Sequence, residues 1–159
     1  MKTLRRILLA VTAAAVTCLL AGSCGVTKIK DIKLESCGVK YIIPTSLRTF
    51  DARLELGVNN PAMTFNVSGI DGSIRVDEVP FATFTAGQLR VEGRQIGNYE
   101  LPCYITLEPG ISLIDVMKLY TRRSLDGIKA DINLQVESKN GTLKAPLSYK
   151  NLDLAEFSK

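Results

Sequence analysis

The chain has 159 residues and carries 20 Lys and Arg against 16 Asp and Glu, a formal net charge of +4. It contains no histidine, which excludes Ser-His-Asp and Cys-His catalytic arrangements and every metal site that needs an imidazole ligand. The basic residues are scattered among acidic ones, so the composition predicts no nucleic-acid-binding surface.

The N-terminal segment MKTLRRILLAVTAAAVTCLLAGSC has the layout of an export signal. A basic start with Lys2, Arg5 and Arg6 leads into an uncharged apolar run over 7–21. This run is shorter and less apolar than the roughly 20 apolar residues of a membrane-spanning helix, so removal after export is expected. About 135 residues would remain, which suits one domain with its own core.

The end of this segment, LLAGSC, resembles the lipobox of bacterial lipoproteins, in which small residues precede a cysteine that is acylated and becomes the mature N-terminus. The resemblance assigns lipid attachment to Cys24, with Cys18 as the weaker candidate. Ala21 stands where Leu or Val is usual, so ordinary secretory cleavage stays open. Because more than one acyl chain makes attachment stable, a modified Cys24 predicts a lipid-anchored protein of the cell envelope. Gly25 after the cysteine implies the outer membrane, and we expect the leaflet that faces the periplasm.

The first clear strand runs from Phe50 to Val58, where apolar and polar residues alternate strictly. Pro61 lacks a backbone N–H and keeps Asn60 out of helical geometry, so Asn59-Asn60-Pro61 predicts a turn or bulge where the strand stops. Similar patterns predict extended segments at 29–36, 65–67 and 74–76 on either side of a bend near 69–72, at 80–93, where Leu89 and Val91 share one face, and at 99–107. In the last of these, Pro102 argues for a sheet edge or a bulge.

The clearest hairpin lies near the C-terminus. Alternating residues of 128–136 face those of 143–149 across Asn140-Gly141, the preferred residue pair of a type I′ turn.

One segment between the late strands breaks the alternation and predicts a short helix near 111–121. Its Leu113, Val116, Met117 and Tyr120 recur at the spacing of one helical stripe, and Ser112 is a candidate N-cap. Six to eight short strands with one helix describe an all-β, antiparallel β-sandwich.

The ordered segments FDARLELGVNNP, FNVSGIDGSIRVDEVPFATF and YELPCYITL resemble the late-embryogenesis-abundant (LEA) type 2 family, the water-stress and hypersensitive-response domain. The resemblance spans roughly 32–149 and implies an Ig-like or fibronectin III-like sandwich. It also implies association with stress tolerance and membrane surroundings, without an active site to carry over. The predicted organisation is a signal peptide over 1–23, a lipidated cysteine and short linker over 24–31, and a LEA type 2-like sandwich over 32–159.

Little in the sequence indicates chemistry. Asp77 and Glu78 are adjacent carboxylates, but neighbouring strand residues point to opposite faces, so a solvated turn is expected instead. Gly69-Ile70-Asp71-Gly72 is too short for a phosphate loop and is not followed by a helix. We therefore expect no catalytic residue, no cofactor and no metal, and a protein that is not an enzyme.

Two cysteines, Cys37 and Cys103, remain after the expected cleavage, in an oxidising compartment. A disulfide between them would close a loop of about 65 residues and add ~4 kcal/mol in the chain-entropy model. Cys103 has the buried parity of its strand, which suits an apolar thiol equally well. Both alternatives stay open.

Arg122 and Arg123 follow the predicted helix and could contact anionic lipid head groups. Basic side chains near a helix C-terminus also complement the helix dipole, and this structural role is favoured.

The sequence thus predicts a membrane-anchored, non-enzymatic binding or stress-protective module, with an envelope protein docking on an exposed strand edge as one partner. The alternative is a periplasmic carrier that holds an apolar ligand or lipid between the sheets. A large apolar cavity would favour the carrier, whereas a solid core with an exposed apolar patch would favour the docking module.

Overall fold

The structure is a computed structural model that describes residues 5–7, 9 and 32–157, apart from the side chains at 34, 37 and 157. Its elements from residue 32 onward are β1 Lys33–Pro44, β2 Thr49–Asn60, β3 Phe65–Val76, β4 Val79–Ala86, β5 Leu89–Val91, β6 Gln95–Leu107, α1 Leu113–Thr121, β7 Ile128–Ser138, β8 Lys144–Asp153 and a 3₁₀ turn Leu154–Phe157. The predicted all-β class is confirmed. No helix among the described residues has the length and apolar character needed to cross a bilayer.

The strands form one antiparallel sheet in the order β1-β2-β6-β4-β3-β7-β8, with β5 paired to β3. β4 joins the two halves, because it pairs with β6 through 82–86 and with β3 through 79–85. Inward-facing residues of the β1-β2-β6 half and of the β3-β7-β8 half belong to one buried apolar cluster. The sheet therefore curls around a single core.

The buried sets follow the alternation of the sequence. In β2 the residues Ala52, Leu54, Leu56 and Val58 are buried, and in β7 the buried residues run from Ile128 to Leu134 in steps of two. Removing this apolar surface from water stabilises the fold by ~25 cal/mol per Å². A slip of one residue in either strand would turn these side chains towards solvent, so burial also sets the register.

The stop signal after β2 has a structural explanation in Asn60, whose side chain is completely buried. Its Nδ2 donates to the carbonyls of Met63 and Glu92, both at 3.1 Å, and its Oδ1 accepts from the N–H of Ala62 at 2.9 Å. Asn60 thus satisfies backbone groups of two turns at once, the one after β2 and the one after β5. The Asn60 side chain therefore connects the loop after β2 with the loop after β5 at this end of the sheet.

Strand β6 is not an edge strand as a whole, but Pro102 lies in the part of it that is paired on one side, as the predicted sheet edge requires. The strand is internal over Cys103–Leu107, where it lies between β2 and β4, and it has only β2 beside it before that. Pro102 occupies the first position beyond the β4 pairing, and its carbonyl accepts from the N–H of Gly87 at 2.9 Å. The proline marks where β4 leaves β6.

The opening strand and the tight turns also differ from expectation. β1 covers Lys33–Pro44 and so extends further than the predicted segment at its C-terminal end, while the predicted residues 29–31 lie outside the described residues. The β7–β8 pairing is as predicted, with Leu134 opposite Leu147, but Gly141 has a positive φ and Asn140 does not, so this loop is not a type I′ turn. The two-residue turn with positive φ at both positions is Asp77-Glu78, between β3 and β4.

Candidate functional site

The most prominent surface feature is α1, which begins with a well-formed cap. The Ser112 Oγ accepts from the N–H of Asp115 at 3.3 Å, and the Asp115 carboxylate accepts from the N–H of Ser112 at 2.9 Å. The hydrogen bond from the Ser112 backbone and then that from its hydroxyl lower the pKa of Asp115. This reciprocal arrangement satisfies donors that a helix start leaves unpaired.

The outer face of α1 is apolar and exposed. Leu113 is 53% exposed, Ile114 67%, Met117 64% and Tyr120 47%. The predicted stripe was therefore right for Val116, which faces inward, and wrong for Leu113, Met117 and Tyr120, while Leu119, which the stripe did not include, is buried. The apolar residues of α1 occur around most of the helix circumference, so their spacing alone could not show which face is buried.

Beneath α1 lies a pocket whose walls are apolar, formed in part by Phe50, Ile74, Phe81, Ile105, Val116 and Leu119. Ile7 forms part of the lining of this pocket and is only 1% exposed. Beside it, the Nη1 of Arg6 donates to the carbonyl of Arg123 at 3.3 Å. The free volume that remains is about 20 Å³, little more than the space of one water.

Arg122, at the C-terminal end of α1, has partners within the protein. Its guanidinium donates to the carboxylate of Asp77 and, at 3.1 Å, to the carbonyl of Asp126. The N–H of Asp77 donates to the carbonyl of Gly127 at 2.8 Å. These contacts give Arg122 a structural role in holding the β3–β4 turn against the segment after α1. Arg123 is exposed.

The adjacent carboxylates Asp77 and Glu78 lie in this turn, as the sequence predicted. Lys129 Nζ donates to Glu78 Oε1 at 2.5 Å, and this contact lowers the pKa of Glu78. Each carboxylate therefore has its own cation.

A second polar region covers the outer face of β1, β2 and β6. Lys40 Nζ lies 2.5 Å and Arg53 Nη1 lies 3.0 Å from carboxylate oxygens of Glu100. The hydrogen bond from Lys40, followed by that from Arg53, lowers the pKa of Glu100, and the same contacts raise the pKa of both cations. An open depression of about 440 Å³ lies beside them, with Ser36 and Asn98 in its wall. Exposed pairs of this kind contribute little stability, and Glu100 stays ionised.

The remaining predicted site residues are spread over the chain. Cys24 and most of the predicted signal peptide lie outside the described residues. Cys37 pairs with Leu56 and Cys103 with Ala52, on opposite sides of β2, so two strand spacings of ~4.8 Å separate their backbones. A disulfide needs Cα atoms within about 7 Å, so this register does not favour the bridge. The Cys103 side chain is buried, as its parity predicted.

Within 5–7, 9 and 32–157, no three Cys, Asp or Glu residues come together as a metal site. The candidate functional feature that the sequence did not predict is the exposed apolar face of α1. The sequence feature that could have indicated it is the scarcity of strongly polar residues in LIDVMKLYT, which has only Asp115, Lys118 and Thr121. Three such residues are too few to cover the outer side of the helix.

No protein-family model matches this chain, and no curated protein is similar to it in sequence at a significant level. Among solved structures, a protein from Archaeoglobus fulgidus is similar at 13% identity with a TM-score of 0.44, over 75% of this chain and 94% of the other. A FixG-related protein from Vibrio parahaemolyticus has 11% identity and a TM-score of 0.26, over 74% and 94% of the two chains. The yeast GGA1 GAE domain has 6% identity and a TM-score of 0.30, over 74% and 93%.

Proposed function

We propose that this protein is a lipid-anchored, non-enzymatic binding or stress-protective module of the outer membrane that faces the periplasm. The observation that supports this function best is the exposed apolar face of α1, defined by Leu113, Ile114, Met117 and Tyr120. Grouped large apolar side chains on a soluble surface are typical of protein–protein contact sites. This face lies on the surface of a domain with one buried apolar core.

Within this proposal, the curled sheet is an Ig-like sandwich of the LEA type 2 kind. One layer is the β1-β2-β6 half and the other is the β3-β7-β8 half, with β4 crossing between them. Such a body is a rigid support, and binding surfaces on rigid supports lose little conformational entropy when a partner docks.

The position of α1 relative to the proposed anchor favours a protein partner over the protein's own membrane. β1 begins opposite Asn59, whereas the strand that leads into α1 ends beside Thr49, at the other end of β2. The 12 residues of β2 span about 36 Å at ~3.3 Å each. The linker 24–31 reaches at most ~28 Å, which is less than the length of β2, so α1 lies at the end of the domain far from the anchored one.

Anchoring would also help binding by restricting the module to a thin layer, where its effective concentration towards envelope partners rises. A carrier of an apolar ligand is the second candidate, supported by the apolar walls of the pocket beneath α1. The exposed apolar face of α1 favours the docking module, because a carrier that holds its ligand inside the fold has no need of such a face.

Photo-cross-linking in cells tests the proposed docking face. A photoreactive residue at Met117 should give a discrete cross-link to an envelope protein, and one at exposed Lys150, on β8, should not. Adding Ile114→Asp to the Met117 derivative should abolish the product, because a carboxylate cannot be buried against an apolar partner without a large cost. Equal products from both positions, or products that Ile114→Asp leaves unchanged, would contradict the proposal.

A further inference from the structure

The pocket beneath α1 holds a segment that the mature protein is proposed to lack. Residues 5–7 are helical, and the side chain of Ile7 is buried among the walls while the neighbouring Arg5 and Arg6 lie at the surface. Arg6 donates to the carbonyl of Arg123, just beyond the helix that roofs the pocket. The occupant is therefore a helical turn with an aliphatic anchor and an adjacent arginine.

We propose that in the mature protein this pocket binds a helix of a partner protein that presents the same chemistry, an aliphatic side chain next to an arginine. The inference rests on the proposed removal of residues 1–23 and deepens the proposed docking function by naming the kind of partner. Without Ile7, the other described lining residues, all of them apolar, lose the side chain that packs against them here. Apolar helix-in-groove recognition uses such anchors.

A helix suits the site better than an isolated lipid chain for two reasons. The contact seen here combines a buried aliphatic side chain with a directional hydrogen bond to a backbone carbonyl, and a hydrocarbon chain can make only the first. The helix that roofs the pocket also carries Leu113, Ile114 and Met117 on its outer side, so a docked helix could bury further apolar surface beyond its anchor.

A synthetic peptide corresponding to residues 1–12 tests this inference in trans. Among the described residues, every buried apolar residue except Ile7 lies within 32–154, so the part 24–159 contains this core and is expected to fold alone. This part, carrying Cys24→Ser to remove acylation, is titrated into the fluorescently labelled peptide, and anisotropy reports binding.

The peptide should bind saturably at one site. Ile7→Asp in the peptide should weaken binding by at least about tenfold, because it places a charge in an apolar pocket. Arg6→Ala should weaken it by about threefold through the lost hydrogen bond, and Arg5→Ala, which alters an exposed side chain, should change it less than about twofold. The full 159-residue chain carrying the same Cys24→Ser substitution should bind the peptide at least about tenfold more weakly, since its own Ile7 occupies the pocket.

A change in the pocket itself completes the design. Ala82→Leu fills the pocket from β4 and should weaken the wild-type peptide by at least about tenfold, whereas Ala145→Leu on exposed β8 should not. If Ala82→Leu does not fold, the peptide series carries the test alone.

Equal affinity for the wild-type and Ile7→Asp peptides would overturn the inference. So would a site that takes a fluorescent polyene fatty acid stoichiometrically and ignores the peptide. The N-terminal residue of the protein from cells reports separately on the proposed anchoring. A chain that keeps residues 1–23 in cells would defeat the proposed anchoring, while the peptide series would still decide what the pocket binds.

Discussion

At the scale of single residues, Asn60 shows how one polar side chain can organise an end of the molecule. Its uncharged side chain is fully buried and makes three hydrogen bonds to backbone groups of two different turns. A strand-ending Asn-Pro is easily recognised in a sequence. The carbonyl of Glu92, which belongs to a loop about 30 residues away, cannot be recognised there, because only the curled sheet brings it near Asn60.

The first prediction follows from these bonds. Asn60→Ala leaves the carbonyls of Met63 and Glu92 and the N–H of Ala62 buried without their partner, so we expect the free energy of unfolding to fall by about 2–4 kcal/mol. Asn59→Ala is the matched control, since Asn59 makes only a 3.4 Å contact with Glu35 and should cost less than about 0.5 kcal/mol. Urea unfolding of the two variants gives the comparison. Similar losses for both would refute the role of Asn60.

At the scale of elements, the strands and the helix differ in how far the sequence could predict them. β2 and β7 alternate cleanly because one face of each is buried, so their inward residues were predicted correctly. In α1, apolar residues occur on nearly every side, and the choice of Val116 and Leu119 as the inner pair depends on the approach of β4 and β6. The tight turn at Asp77-Glu78 likewise depends on Gly127 and Arg122, which are distant in sequence.

Helix orientation can be measured directly. Leu119→Ala removes a side chain that is 4% exposed and should lower the free energy of unfolding by about 2–5 kcal/mol. Met117→Ala, on the same helix, changes a largely exposed side chain and should have an effect within about 0.5 kcal/mol. Chemical denaturation of both variants distinguishes the inner face from the outer one. The reverse order of losses would show that the helix faces the other way.

The cap of α1 should respond to pH with a defined sign. The pKa of Asp115 is lowered in the folded protein, so its contribution is fully present above the carboxyl's ordinary pKa and is lost as the pH falls through the lowered value. Asp115→Asn should therefore destabilise the protein at about pH 7 and converge with the wild type at about pH 2. Asp126→Asn, which removes the same charge from an exposed loop, is the control. Unfolding curves at both pH values that differ equally from the wild type would exclude this role for Asp115.

At the scale of the whole molecule, the structure shows a curled all-β sheet around one core, and the proposed lipid attachment at Cys24 would hold this body at a membrane by its N-terminus. The fold class could be predicted because periodicity and turn residues recur along the chain. The proposed docking face could not be predicted, since it arises where α1 packs over β4 and β6 and leaves its outer apolar side chains exposed. A function that depends on surface shape is encoded less locally than a catalytic motif.

The account depends most on Cys24, and the mass of the N-terminal peptide of protein extracted from bacterial membranes tests it directly. We predict a peptide that begins at Cys24, without residues 1–23, and that carries the added mass of acyl chains on Cys24. A peptide that begins at Met1, or an unmodified N-terminus on protein recovered from the soluble periplasmic fraction, would contradict the proposed anchored module.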